Sequence, residues 1–162
     1  MPAEIKPPIC PYCDKPSIYR ESSARYYGGK DYGPVWACDV DRAWVGVHRG
    51  TKNPLGTLAD SALRKARMNV HAAFDPIWRE PTGKTPKGMR SRAYKWLAAH
   101  MGIAREGCHI AHFDIDGCKA ALACLASHKP TRESIIEWSD AQFKKSAEDQ
   151  PASPTGESLV QP

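Results

Sequence analysis

Between Leu58 and Phe74 the apolar residues recur every three or four positions, as Ala59, Leu63, Ala66, Val70 and Ala73, and Ile77 continues the row. That spacing is one face of an α-helix, so the stretch predicts a long amphipathic helix with this stripe against a core. Thr57, with an acid at Asp60 three residues on, reads as its N-cap. Pro76 has no N–H for the carbonyl four residues back, which predicts a break there, with Asp75 capping a last turn that carries Trp78. The segment Arg79–Gly88, with two prolines and two glycines, reads as an exposed linker. A second helix is expected from Ser91 to about Met101, burying Tyr94, Leu97, Ala98 and Met101 and stopped by Gly102. A third starts at Asp114 or Asp116 and buries Cys118, Ala121, Leu122 and Leu125. Pro130-Thr131 opens a fourth, in which Ile135, Ile136, Trp138, Ala141 and Phe143 keep the helical period only in part. Ile110–Phe113 reads as a strand or a turn.

The N-terminal part has a different texture. A proline-rich lead, Pro2 to Pro8, cannot easily start a helix. Short runs at Ser17–Tyr19, Val35–Ala37 and Trp44–His48 carry the β-branched and aromatic residues of strands, and the Tyr- and Gly-rich insertion from Tyr26 to Pro34 separates the first two. Strands followed by helices make the fold class α+β.

The chemistry of this part is in its cysteines. Cys10-Pro11-Tyr12-Cys13 is a Cys-x-x-Cys knuckle, and Cys38-Asp39-Val40-Asp41 repeats the spacing with an aspartate in the last position. Two such turns facing each other place four donors at the corners of a tetrahedron, and zinc is the favoured ion. The adjoining prolines and Tyr12 make a buried core strand a poor account of Cys10 and Cys13. The fourth ligand is open between Asp41, His48 and water. A Cys3His set favours His48 by chemistry, but an extended Trp44–His48 carries that imidazole roughly 10 Å or more away at about 3.3 Å per residue, which favours Asp41. The organisation expected is a lead at 1–9, a zinc-ribbon-like β-hairpin module at 10–50, a helical region at 51–145 packed on it, and a disordered tail at 146–162.

Charge adds a possible partner. The 162 residues carry a net +5; the acids Glu148, Asp149 and Glu157 all follow the last basic residue, Lys145, so residues 1–145 stand at +8. A body that basic is compatible with a phosphate-rich partner. Arg64, Lys65 and Arg67 on the long helix, with Arg49 and Lys52 in the loop before it, are the candidate nucleic-acid contacts. Gly50–Thr57 loosely resembles a phosphate-cradling loop, and the plainer reading is a tight connector. Cys108, His109, His112, Cys118, Cys124 and His128 are spaced poorly for a second metal, and the cysteines read as core filler. No apolar segment follows Met1 and no run is long enough to span a membrane, so the expected setting is cytoplasmic, with reduced thiols and no membrane partner.

Several strings then occur in one order: Cys-Pro-Tyr-Cys; Ala43 to Thr51; Pro54-Leu55-Gly56-Thr57-Leu58-Ala59; Ala66-Arg67; and His71 to Trp78. With Arg92 to Trp96 and Cys108 to Cys118, this pattern resembles the zinc-finger-containing domain family of unknown function common in phages and prophages, over most of residues 8–125. The resemblance implies zinc binding through two knuckles, with Cys10, Cys13 and Cys38 as ligands. The partner position falls on Asp41, where this chain departs from the family pattern. No established activity comes with it.

The functional expectation is a non-enzymatic zinc module that binds nucleic acid through the basic helix face and loop. One alternative is a metal-dependent nuclease of the histidine-metal type, with His48 as general base, Asn53 orienting it, and His71 and Asp75 as metal ligands. Against it, the short loop from Gly50 to Leu58 leaves no room for the second strand such a site inserts. The other alternative is a phage-type protein that binds and antagonises a host protein partner.

Overall fold

The computed structural model describes residues 5–148, and its architecture is α+β: a three-stranded antiparallel sheet followed by four helices. Strands β1 (Ile18–Arg20), β2 (Val35–Cys38) and β3 (Ala43–Gly46) lie in sequence order, with Ile18 opposite Ala37 and Ala37 opposite Trp44. The third strand is shorter than expected, because after Gly46 the chain turns into a tight loop closed by a single bridge between Val47 and Pro54. His48 therefore lies outside the sheet.

Helix α1 runs Ser61–Trp78. Asp60, not Thr57, is its cap: the Asp60 carboxylate accepts from the Leu63 amide at 2.8 Å. The start is delayed because Ala59 exchanges both backbone hydrogen bonds with Trp44, which holds Leu58 and Ala59 extended and buried beside the sheet. Nor does Pro76 break the helix. It removes one bond, to the carbonyl of the exposed residue Ala72, where water can serve, while Phe74 and Trp78 are buried on either side of it. Of the expected stripe Leu63 and Val70 are buried, Ala66 and Ile77 only partly, and Ala73 is exposed; Phe74 and Trp78 carry the rest of the contact.

Helix α2 (Met89–Met101) begins earlier than expected and is not capped by Ser91. Gly88, at φ 81°, supplies the left-handed turn, and Met89 is already buried in the first turn. Asp114 caps α3 (Ile115–His128) by accepting from the Gly117 amide at 2.7 Å, and Ile110–His112 is a 3-10 turn. Helix α4 covers Arg132–Glu148, so residues 146–148 of the expected tail are helical and 149–162 lie outside the described residues. It buries Ile135 and Ser139, while Ala141 and Phe143 are exposed.

Two apolar clusters result. The larger joins α1, α2, α3 and α4 around Phe74, Tyr94, Leu97 and Ile110, and takes in Cys108, Cys118 and Cys124 as buried side chains. The smaller lies under the sheet and consists of Cys10, Trp36, Cys38, Ala43, Val45 and Leu58. Among the described residues no helix is long and apolar enough to cross a membrane.

Candidate metal centre

Each knuckle is a reverse turn held by its own backbone. The first closes with Cys10 N–H to the Lys15 carbonyl at 2.8 Å and Asp14 N–H to the Cys10 carbonyl at 3.0 Å, with Asp14 at φ 55°. The second is the tip of the β2–β3 hairpin, where Cys38 pairs with Ala43 and Arg42 takes φ 50°. Between those two residues Asp39 fastens the tip to the sheet, accepting from Arg20 at 2.5 Å and from the Tyr26 hydroxyl at 2.7 Å. Asp41 is thereby left facing the sulfurs.

The Asp41 carboxylate oxygen is 3.2 Å from the Sγ of Cys10 and 3.2 Å from that of Cys38, and the sulfurs of Cys13 and Cys38 are 3.7 Å apart. All four donor atoms fall within 4.8 Å of one another. A disulfide needs about 2.05 Å, so these are not bonded sulfurs. A tetrahedral ion with Zn–S of about 2.3 Å requires an S···S edge of roughly 3.8 Å, close to the spacing found. Three soft thiolates with one carboxylate suit zinc, so the residues present fit the ion. The carboxylate accepts from the thiols: Cys13 is pushed up to about 12, chiefly by its contact with Asp41, and burial raises Cys10. The same contacts, Cys13 first, hold Asp41 below the usual carboxylate range. Cys10, Cys13, Cys38 and Asp41 would hold a divalent ion as thiolates and carboxylate, with the ion in place of the thiol protons.

The sequence profile of the zinc-finger-containing domain family matches residues 6–128. The chain belongs to that family. No curated protein and no solved structure matches it. For this member of the family, the donor cluster and the family assignment agree on zinc as the ion.

The other candidate residues separate into different surroundings. Arg64 lies flat on the Trp44 indole, 3.4 Å from the ring centroid, and donates to the Ala59 carbonyl at 2.5 Å. Arg67 donates to the Phe113 carbonyl at 2.9 Å, the Thr57 carbonyl at 3.0 Å and the Thr57 hydroxyl at 2.6 Å. Burial lowers both guanidinium pKa values. These two arginines hold α1 to the sheet and to the loops beside it, so the face that periodicity marks as basic is largely an internal seam. Lys65 is exposed on α1. Arg49 and Lys52 are exposed at the tip of the loop after β3, beside His48.

His71 Nδ1 is 3.2 Å from the Asp75 carboxylate, and both border a shallow cavity with Arg79. His48 borders a different one, with no lining residue in common. The Asn53 backbone carbonyl accepts from the His48 backbone N–H, and the Asn53 backbone N–H donates to the Thr51 hydroxyl. The Gly50 loop is likewise folded on itself, and it does not lead straight into α1 as a phosphate-cradling loop does. Gly56 has a packing reason: a Cβ there would lie 2.2 Å from the Ala111 carbonyl oxygen.

One feature escapes the sequence. At the end of the sheet away from the knuckles is an open cavity of about 950 Å³, lined by Tyr19, Tyr27 and Tyr32 together with His48, Arg49 and Lys52. Its walls come from stretches far apart in the chain. The only local sign was the clustering of Tyr, Gly and Lys in the insertion before β2.

Proposed function

We propose that the protein is a zinc-built, non-enzymatic module that binds nucleic acid, with zinc held by Cys10, Cys13, Cys38 and Asp41 as a structural ion. Four protein donors close a tetrahedron and leave no open position for a substrate, which is the arrangement of structural rather than catalytic zinc. The observation that carries the binding reading is the cavity at the far end of the sheet, where Arg49 and Lys52 stand exposed beside a wall of tyrosines. It moves the contact surface from the helix face to the loop, with Lys65 the exposed lysine that remains on α1. Phosphate attraction by these cations is the sequence-independent part of such binding. The six free thiols and a thiolate-rich site support a reducing, cytoplasmic setting.

The test is retention of labelled DNA and RNA by zinc-loaded protein across a salt series, with the labelled strands checked for intactness. Retention is expected to weaken with salt and to fall in Arg49→Ala and Lys52→Ala, with no cleavage in magnesium or manganese. Absence of retention at low salt overturns the reading.

A further inference from the structure

We infer that the cavity at the metal-distal end of the sheet takes single-stranded nucleic acid, bases stacking on Tyr32 and Tyr27 while phosphates pass Arg49 and Lys52. This rests on the nucleic-acid reading above and specifies the form of the ligand. Four observations carry it.

Large aromatic rings are left in water at this place. Tyr32 is 64% exposed and Tyr27 38%, although the sheet beside them has buried Trp36. Tyr27 and Tyr32 meet edge to face, with centroids 4.9 Å apart, so they present two differently oriented ring faces rather than collapsing onto each other.

The turn that carries Tyr32 is also held in place. Asp31 accepts from the Ser23 amide at 3.1 Å and the Gly33 amide at 2.9 Å, and the fully buried Ser23 hydroxyl accepts from the Tyr32 amide at 2.8 Å. A turn cross-tied in this way loses little further freedom on binding.

Cations are distributed as a strand requires. The Lys52 ammonium lies 4.7 Å from the Tyr19 ring centroid and that of Lys30 lies 5.0 Å from the Tyr32 centroid, while the exposed Arg49 also lines the cavity. Positive charge interleaved with aromatic faces is the pattern of single-strand grooves, where each base offers a π-face and the backbone runs along the cations. Glu21 is the one acid among the residues lining the cavity.

A duplex is poorly served here. Its bases are stacked on each other, so their faces are not available to tyrosine, and sequence in a duplex is read by an element that enters a groove. The helix with the basic face, α1, has Arg64 and Arg67 bound internally.

The experiment measures binding of the full zinc-loaded chain to a labelled oligothymidylate, an oligouridylate and a duplex of matched length, with polyglutamate as competitor. Either single strand should bind about tenfold tighter than the duplex. Tyr32→Ala should lose about tenfold while Tyr32→Phe keeps the affinity, and polyglutamate should displace the strand only weakly. Tyr32 is so exposed that both variants should retain zinc content and thermal midpoint. Equal binding of duplex and strand, with Tyr32→Ala unchanged, overturns the stacking inference and leaves nucleic-acid binding standing. Displacement by polyglutamate at equal charge also overturns it, since that would be simple attraction to an acidic polymer. No binding of any oligonucleotide overturns both.

Discussion

The helical region buries nineteen residues in one apolar cluster, whereas the cluster under the sheet has six, and two of those six are Cys10 and Cys38. Removing that much apolar surface from water is sufficient for the helices, because each large buried side chain contributes about 1.5–3 kcal/mol. A three-stranded sheet with strands of three and four residues has no comparable reserve. What it has instead is two turns whose thiols and carboxylate converge. The same residue type is therefore placed differently in the two halves: cysteine joins a cluster that could hold a metal ion in one and is a small buried hydrophobe in the other.

The largest test of that contrast is removal of the metal. Structural zinc contributes about 10–16 kcal/mol in small domains, more than the burial of Trp36, Val45 and Leu58, the three large side chains of the smaller cluster apart from its cysteines. A strong chelator should abolish the tertiary signal of Trp36 and Trp44, while most of the helical ellipticity remains. Thiol titration gives the sharper readout: Cys10, Cys13 and Cys38 should become reactive, and Cys108, Cys118 and Cys124 should stay silent until denaturant is added. Burial raises all three of the latter, Cys108 to about 11. If six thiols react together, the two halves are one cooperative unit and the comparison fails. Metal analysis of the untreated protein should find about one zinc per chain.

The converse break is in the helical core. Phe74 is fully buried against Tyr94, ring centroids 4.9 Å apart, and Phe74→Ala should cost about 3–5 kcal/mol of stability. Zinc affinity of the folded fraction should not change. A matching loss of zinc would mean that the helices position the knuckles.

Asp41 sharpens the comparison from within the metal site. Asp41→Asn keeps an oxygen donor but loses the charge, and should weaken zinc about 10–100-fold, as loss of a supporting contact in a metal shell does; Asp41→Cys, which restores four thiolates, should bind at least as tightly as the native chain. The pH dependence has a defined sign. In the metal-free protein Cys13 is raised from 9.0 to about 12, so the thiol side of its contact with Asp41 contributes fully below about pH 9 and is lost as pH rises through about 12. Asp41 is lowered, so its contribution is lost as pH falls through that depressed value. Zinc needs the thiolates, hence competes with protons, and its apparent affinity should fall steadily as pH is lowered from neutral.

These contrasts were unequally legible in the sequence. The convergence of Cys10, Cys13, Cys38 and Asp41 could be anticipated because metal-ligand chemistry tolerates few residue types and both knuckles are local turns. Helix existence followed from period, but the helix ends did not. Thr57 and Ser91 have capping chemistry, yet the Ala59–Trp44 bridge and the burial of Met89 decided where α1 and α2 begin. Arg64 and Arg67 show the same limit in function: spacing puts them on one face and cannot say what that face meets. The tyrosine-lined cavity was invisible for a related reason, since β1, the insertion before β2 and the loop after β3 come together only in three dimensions.

Arg67 tests where the two halves join. Its guanidinium spans from α1 to Thr57 on the sheet side and to Phe113 on the helical side, next to the close approach of Gly56 to Ala111 and the Thr57 N–H···O=C Ala111 bond at 3.1 Å. Arg67→Met keeps much of the stem's packing and removes only the donors. The acceptors at Thr57 are exposed and can turn to water, which leaves the bond to the carbonyl of buried Phe113, so the cost should be about 1.5–3 kcal/mol, the value of one hydrogen bond from a charged donor. The form of the change matters more than its size. If the seam couples the halves, the zinc-releasing transition and the helical transition should lie further apart in the zinc-loaded variant than in the native protein. Transitions merely lowered, with their separation unchanged, would place the coupling instead in Arg64 on Trp44 and in the Tyr12 hydroxyl that accepts from the Asp60 amide.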